Sequence, residues 1–316
     1  MGHLLSVSRR TDVAALHSRW FRARVRAGFS HVVHPYTGRV ARVSWRPEDV
    51  LGLQLWTRWP GPLLDDLGAL RRAGYRIAVQ FTITPYGPPL ESHNPPRARA
   101  LAAAERVAHE LGEDALLWRY DPILLASDWD EARHRREFGA LARDLRGLTR
   151  RCTFSFVDFY GKTSRNLAPL ETARGEEFVR PDVERQRALA RELAALAADV
   201  GMSFVSCCDD ALLGEAVGRS RCLDPAVFRA LGADVDHLPA APTRPDCGCV
   251  KSIDVGTYST CSLGCAYCYA VTKRPTALRR LRECDPEDSL LWRPPSLRGV
   301  DLDARAASPG ADRAGT

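Results

Sequence analysis

Three cysteines share one short stretch, "TYSTCSLGCAYCYA" (257–270): Cys261, Cys265 and Cys268, separated by three residues and then by two. Several thiolates on one tight loop suit an iron–sulfur cluster, whose ligands must reach different irons of one compact inorganic core. Gly264, between the first two ligands, supplies backbone freedom for wrapping around that core. A cubane has four irons, so three cysteines leave one iron open to another ligand.

The other thiols raise a second question. Of the ten cysteines all but Cys152 lie between positions 207 and 284. In a reducing compartment such crowding argues for metal or redox chemistry over disulfides. Cys207 and Cys208 are adjacent, Cys222 lies fourteen residues beyond Cys208, and Cys247 and Cys249 form a CxC. Four thiolates from this set, with Cys208, Cys222, Cys247 and Cys249 as candidates, suit a structural zinc or an auxiliary iron–sulfur cluster. The competing reading is buried, unliganded cysteine used as apolar filler, which also suits Cys152 at the start of a strand. In a barrel, a CxC at the start of one strand lies on the opposite face from a cysteine at the end of another, unless the loop folds back.

These groups need elements to position them. β-Branched and aromatic runs predict strands at 4–8, 31–35, 52–57, 76–84, 115–121, 152–160, 202–207 and 250–256. Amphipathic segments at 97–112, 130–149 and 181–200 predict helices between them. Strand and helix in alternation imply parallel strands, and eight strands suggest a (β/α)8 TIM-type barrel, with an open doubly wound sheet as the alternative. The expectation is one barrel domain over 1–293, including a cysteine-rich segment at 246–270. From 294 the composition reads as a disordered tail.

In a barrel all strand ends of one polarity meet on one face, and here those ends carry reactive side chains. Arg9, Arg10 and Asp12 follow the first strand; a guanidinium is a planar fork for carboxylate or phosphate, while Asp12 also suits a helix cap. Arg119 and Asp121 close the fifth strand, as an ion pair or as site residues. Asp158 and Lys162 follow the sixth, with Lys162 a candidate proton donor or phosphate contact. His34 is a weaker candidate, and Trp56, Trp59 and Tyr86 suit packing as well as stacking.

The bulk composition excludes little. With 45% hydrophobic and 27% charged residues the chain reads as a soluble enzyme. No apolar run is long enough to span a bilayer, and "MGHLLSVSRRTD" lacks a signal-peptide layout, so the expected location is cytoplasmic. The net charge of +6 is carried almost wholly by arginine. This is weak support for nucleic acid as a partner, since compositional bias produces the same excess. There is no P-loop, no GxGxxG after a strand and no HExxH.

The stretch "SIDVGTYSTCSLGCAYCYA" resembles the cluster loop of radical SAM enzymes, which has a CxxxCxΦC pattern with an aromatic at Φ; Tyr267 takes that place. The resemblance implies that Cys261, Cys265 and Cys268 bind a [4Fe-4S] cluster, that Tyr267, Gly264 and Asp254 belong to the cofactor site, and that S-adenosylmethionine chelates the fourth iron and is cleaved reductively to start radical chemistry. An electron donor such as ferredoxin or flavodoxin would be a partner. The superfamily places this loop after its first strand, whereas here it follows the last, which implies a permuted barrel. Over residues 4–272 the chain resembles the uncharacterised bacterial DUF1848 family, in "SVSRRTDVAALHSRWFRARVRAGF", "QLWTRWPGPLL", "VQFTITPYG", "LLWRYDPILL", "FSFVDFYGKT" and "CGCVKSIDVGTYSTCSLGCAYCYA". That resemblance names no substrate. The alternative is a zinc or iron–sulfur protein in which the cysteines are structural and which binds nucleic acid or a protein partner.

Overall fold

In the computed structural model residues 2–307 are described, apart from Glu176 and the side chain of Arg174. The strands are β1 (His3–Val7), β2 (Phe29–Val33), β3 (Val40–Ser44), β4 (Val50–Thr57), β5 (Ile77–Thr82), β6 (Leu116–Ile123), β7 (Arg151–Phe156), β8 (Ser203–Ser206), β9 (Gly218–Arg219) and β10 (Ile253–Asp254). The helices are α1 (Val13–Leu16), α2 (Ser18–Ala27), α3 (Leu64–Arg72), α4 (Arg97–Leu111), α5 (Glu131–Asp144), α6 (Gly161–Arg174), α7 (Val183–Ala198), α8 (Pro225–Ala230), α9 (Arg274–Glu283) and α10 (Leu302–Ala307).

Eight strands form one parallel sheet in the order β10-β1-β4-β5-β6-β7-β8-β9. Successive residues point to opposite faces of a strand, and the sequence uses that period to build two cores. Leu5, Val7, Leu53, Leu55, Val79, Phe81, Trp118, Tyr120, Cys152 and Phe154 belong to one core with apolar residues of α3, α4, α5 and α7. Their neighbours Leu4, Ala78 and Leu117 belong to a second, with Cys207, Cys222, Leu223, Phe228, Val235 and Cys249. The polar residues Ser6, Gln80 and Arg119 share the parity of this second face.

The sequence reading and the structure differ in three places. The strand expected at 31–35 is β2, which pairs antiparallel with β3 and stays outside the main sheet. The cause is local: His34 N donates to Arg39 O (2.8 Å) across a tight turn that folds β3 back on β2. The eighth strand of the sheet is instead the two-residue β9, too short to carry a period-2 signal. No ladder joins the edge strands β9 and β10, so a parallel eight-stranded sheet with flanking helices is what the fold shows.

The third difference is the segment from 294. It forms a 3₁₀ turn at Pro295–Leu297 and then α10. Leu297 and Leu302 pack with Val40 and Leu290, so widely spaced apolar residues dock where composition suggested disorder. The rest of the expected tail, 308–316, lies outside the described residues. Among the described residues no helix is long and apolar enough to cross a membrane.

Candidate functional site

Asp254 ties β10 to β1 and to the turn that follows β1. Its carboxylate accepts from Ser6 Oγ (2.7 Å), Ser8 Oγ (2.6 Å), Arg9 N (2.9 Å) and Gly256 N (3.0 Å). Arg9 Nε and Arg10 Nε stand 3.6 and 3.9 Å away. A buried carboxylate needs such donors. It thereby fixes the "SRR" turn after β1 against the entry to the cysteine loop after β10. A Cβ at Gly256 would sit 2.0 Å from Ser8 Oγ, so only glycine permits the approach.

A second buried network clamps the loop itself. Arg58, just after β4, donates through Nη1 to Glu91 Oε1 (2.8 Å) and Thr84 Oγ1 (3.0 Å), and through Nη2 to the Tyr267 hydroxyl (2.5 Å). The Tyr267 hydroxyl in turn donates to Glu91. Backbone contacts reinforce it: Ala266 N to Leu90 O (2.9 Å) and His93 N to Leu263 O (3.1 Å). Gly264 adopts the left-handed region (φ 75°), where a side chain is strained. Tyr267 therefore acts as the loop's anchor, its ring buried beside Tyr86 and Leu90.

The three loop cysteines are half-buried residues. Burial raises the pKa of each, to about 12 at Cys265, where Arg58 opposes the rise. At Cys261 the charge of Asp12 and of the other two thiols adds to the effect of burial. Amide donors face two of the sulfurs: Ala270 N to Cys268 Sγ (3.3 Å) and Asn94 Nδ2 to Cys265 Sγ (3.8 Å).

The other expected site residues gather at the same, C-terminal, end of the strands. Asp12 caps α1 through Ala15 N (2.9 Å) and also accepts from Thr57 Oγ1 (2.8 Å) and Arg58 N (2.7 Å). Burial raises its pKa to about 6, against the pull of these donors. Arg10 and Lys162 both lie over the Tyr258 ring, 5.6 and 5.4 Å from its centroid. Arg119 pairs with Asp121, which also accepts from Ser155. Asp158 pairs with Arg180 (2.6 Å) and Arg244 (3.0 Å). His34 lies away from the site, its ring bonded to the Thr37 backbone N–H (3.1 Å) in the β2–β3 turn.

The remaining cysteines form a second group. Cys207 Sγ is 3.8 Å from Cys208 Sγ and 3.1 Å from Cys222 Sγ. Cys247 and Cys249 belong to the same neighbourhood, Cys247 interacting with Cys208 and Cys249 with Cys222. The segment before β10 reaches this place by folding back: Ala240 bridges Val250, and Ala241 N donates to Cys249 O (2.8 Å). Among the described residues no three His, Cys, Asp or Glu side chains are arranged to hold a metal ion, so the sulfur contacts are pairwise. Cys152 sits in the helix-side core and is filler.

A family model described as "Domain of unknown function (DUF1848)" matches residues 4–270, from β1 to two residues past Cys268. The chain belongs to the DUF1848 family. No curated protein and no solved structure matches it. The DUF1848 match takes in the hub on Asp254, the clamp on Tyr267 and both cysteine groups, and stops before α9 and α10.

Several residues of this DUF1848 site escaped the sequence reading. Arg58 directly follows the strand expected at 52–57, and its partner Glu91 sits in "PPLESHNPP", where prolines signal a loop and nothing signals a buried carboxylate. Arg244, bonded to Asp158 and Tyr160, lies in a stretch that reads as an irregular connection.

Proposed function

We propose that the chain is a radical SAM-like iron–sulfur protein whose cluster is held by Cys261, Cys265 and Cys268. The observation that carries this reading is the clamped loop: three thiols on one turn, fixed at the C-terminal end of a parallel sheet beside β1. The donor set suits the group. Three soft thiolates with backbone and side-chain amides aimed at two of them are what a cubane's sulfur ligands require. A cubane also spreads its thiolates over different irons, so they need not converge as the ligands of one ion do. When bound, the cluster supplies the electron that cleaves S-adenosylmethionine for hydrogen abstraction from a substrate.

The chain's own residues then have distinct tasks. Asp254 holds the turn carrying Arg9 and Arg10 against the loop. The Arg58–Glu91–Tyr267 clamp fixes the loop's orientation. Arg10 and Lys162, flanking Tyr258, offer two cations to a carboxylate or phosphate. Barrel closure fits the same reading: Val250 N donates to Leu223 O (3.4 Å), joining the segment after β9 to the one before β10. With β10 hydrogen-bonded to β1, a loop after the last strand occupies the place of a loop beside the first. Reducing cytoplasm, and a ferredoxin or flavodoxin as electron source, complete the proposal.

Anaerobic purification with iron and sulfide analysis tests it. Four irons and four sulfides per cluster are expected, and their loss when Cys261, Cys265 and Cys268 are all replaced by alanine. Zinc bound to those three cysteines, with no iron, would overturn it.

A further inference from the structure

The second cysteine group lies where the segment after β9 meets the segment before β10. Cys207 and Cys208 leave β8, Cys222 follows β9, and Cys247 and Cys249 precede β10. A hydrogen bond from Leu223 N to Cys249 Sγ (3.5 Å) crosses between the edges alongside the Val250 N to Leu223 O bond. Three of the sulfurs belong to buried residues, Cys207, Cys222 and Cys249, and all ten cysteines of the chain are free thiols.

We propose that four of these five cysteines hold a single zinc ion that clasps the β8–β9 edge of the sheet to its β10 edge. Bond lengths decide between one ion and a cluster. Zinc–sulfur bonds of about 2.3 Å in a tetrahedron put neighbouring sulfurs about 3.8 Å apart. The Cys207–Cys208 separation of 3.8 Å matches that edge, while Cys207–Cys222 at 3.1 Å has to open on ligation. The thiolates of a cubane bind separate irons and stand much further apart. Ligation asks the half-buried Cys208 and Cys247 to turn inward, toward three sulfurs that are already buried.

The surroundings suit a metal–thiolate centre that carries net negative charge. Arg119 Nη1 donates to Cys222 Sγ (3.4 Å) and Arg244 Nη2 to Cys207 Sγ (3.9 Å). Leu223 N serves Cys249, and Thr243 Oγ1 lies 3.6 Å from Cys247 Sγ. These are the outer hydrogen bonds that orient metal ligands. Since β10 leads directly into the loop of Cys261, Cys265 and Cys268, the clasp would also hold that loop in place.

The test separates this centre from the loop. The variant with Cys261, Cys265 and Cys268 all replaced by alanine is purified without oxygen and analysed for zinc, iron and sulfide. About one zinc per chain with no sulfide, lost on adding Cys247→Ser and Cys249→Ser, is the expected result. Iron and sulfide persisting in the loop variant would overturn the proposal, as would zinc that survives Cys247→Ser and Cys249→Ser. So would a metal-free chain with a Cys207–Cys222 disulfide on mass spectrometry. Should either variant fail to fold, zinc-edge X-ray absorption of the unmodified chain decides: four sulfur neighbours at about 2.3 Å are expected, and a nitrogen or oxygen shell contradicts the clasp.

Discussion

Arg58 and Tyr267, 209 positions apart in the chain, meet through a 2.5 Å hydrogen bond from guanidinium to phenol. Both are bonded to the same buried carboxylate, Glu91. A residue that looks like a cofactor contact by its place between Cys265 and Cys268 is thus the bolt that fastens the loop.

Replacing Arg58 by alanine leaves Glu91 charged, buried and without its cation. Removing one partner of such a pair costs about 3–5 kcal/mol. Denaturant unfolding should show a loss of that size, and the surviving protein should retain less iron. Glu91→Gln with Arg58 intact should also be destabilised, whereas unchanged stability in Arg58→Ala would mean that the clamp is not closed in solution.

Asp254 accepts four hydrogen bonds, and asparagine supplies only one acceptor oxygen. In Asp254→Asn an amide N–H₂ faces two of the donors from Ser6, Ser8, Arg9 and Gly256. Each buried group left unsatisfied costs about 1–3 kcal/mol. Thermal unfolding should fall clearly in Asp254→Asn, and Ser8→Ala should cost less.

Asp12 gives the stability a pH signature. Burial raises its pKa to about 6 in the folded chain, from the ordinary 3.8 of an aspartate carboxyl. Between these values the folded state binds more protons than the unfolded one, so stability is present below pH 4 and is lost as pH rises through 6. The two-unit rise corresponds to roughly 3 kcal/mol. The unfolding free energy of the native chain minus that of Asp12→Asn should therefore decrease by about that amount from pH 4 to pH 7. A flat difference would show that Asp12 is ionised throughout.

The two cysteine groups should differ in reactivity once metals are chelated. Interactions with Cys208 and Cys249 push the Cys247 thiol well down, while burial pushes Cys265 up to about 12. The thiolate is the nucleophile. At pH 7 iodoacetamide should label Cys247 before Cys265, read peptide by peptide by mass spectrometry; the reverse order would contradict the electrostatics described.

Much of this site was legible because parallel strands deliver their C-terminal residues to one place. Arg9, Arg10 and Asp12 after β1, Arg119 and Asp121 at β6, and the loop after β10 could all be read from strand-like runs ending in polar residues. What could not be read is pairing at a distance. Nothing in "PPLESHNPP" announces that Glu91 meets Arg58, because the contact depends on a loop with no periodicity. β9 was missed because two residues carry no pattern, and "HVVHP" was assigned to the main sheet because local sequence does not state which strand a strand will pair with. The CxC looked misplaced until the chain folded back between Ala240 and Val250.

The central claim is that three loop sulfurs hold a cluster competent to cleave S-adenosylmethionine. The direct measurement is 5′-deoxyadenosine released by the anaerobic, reconstituted protein on reduction with dithionite, beside the Cys261→Ala, Cys265→Ala and Cys268→Ala variants. Release by the native chain, abolished in each variant, is the predicted result. A reconstituted protein with full iron and sulfide that leaves S-adenosylmethionine intact, or a variant that cleaves it as well as the native chain, would contradict the account.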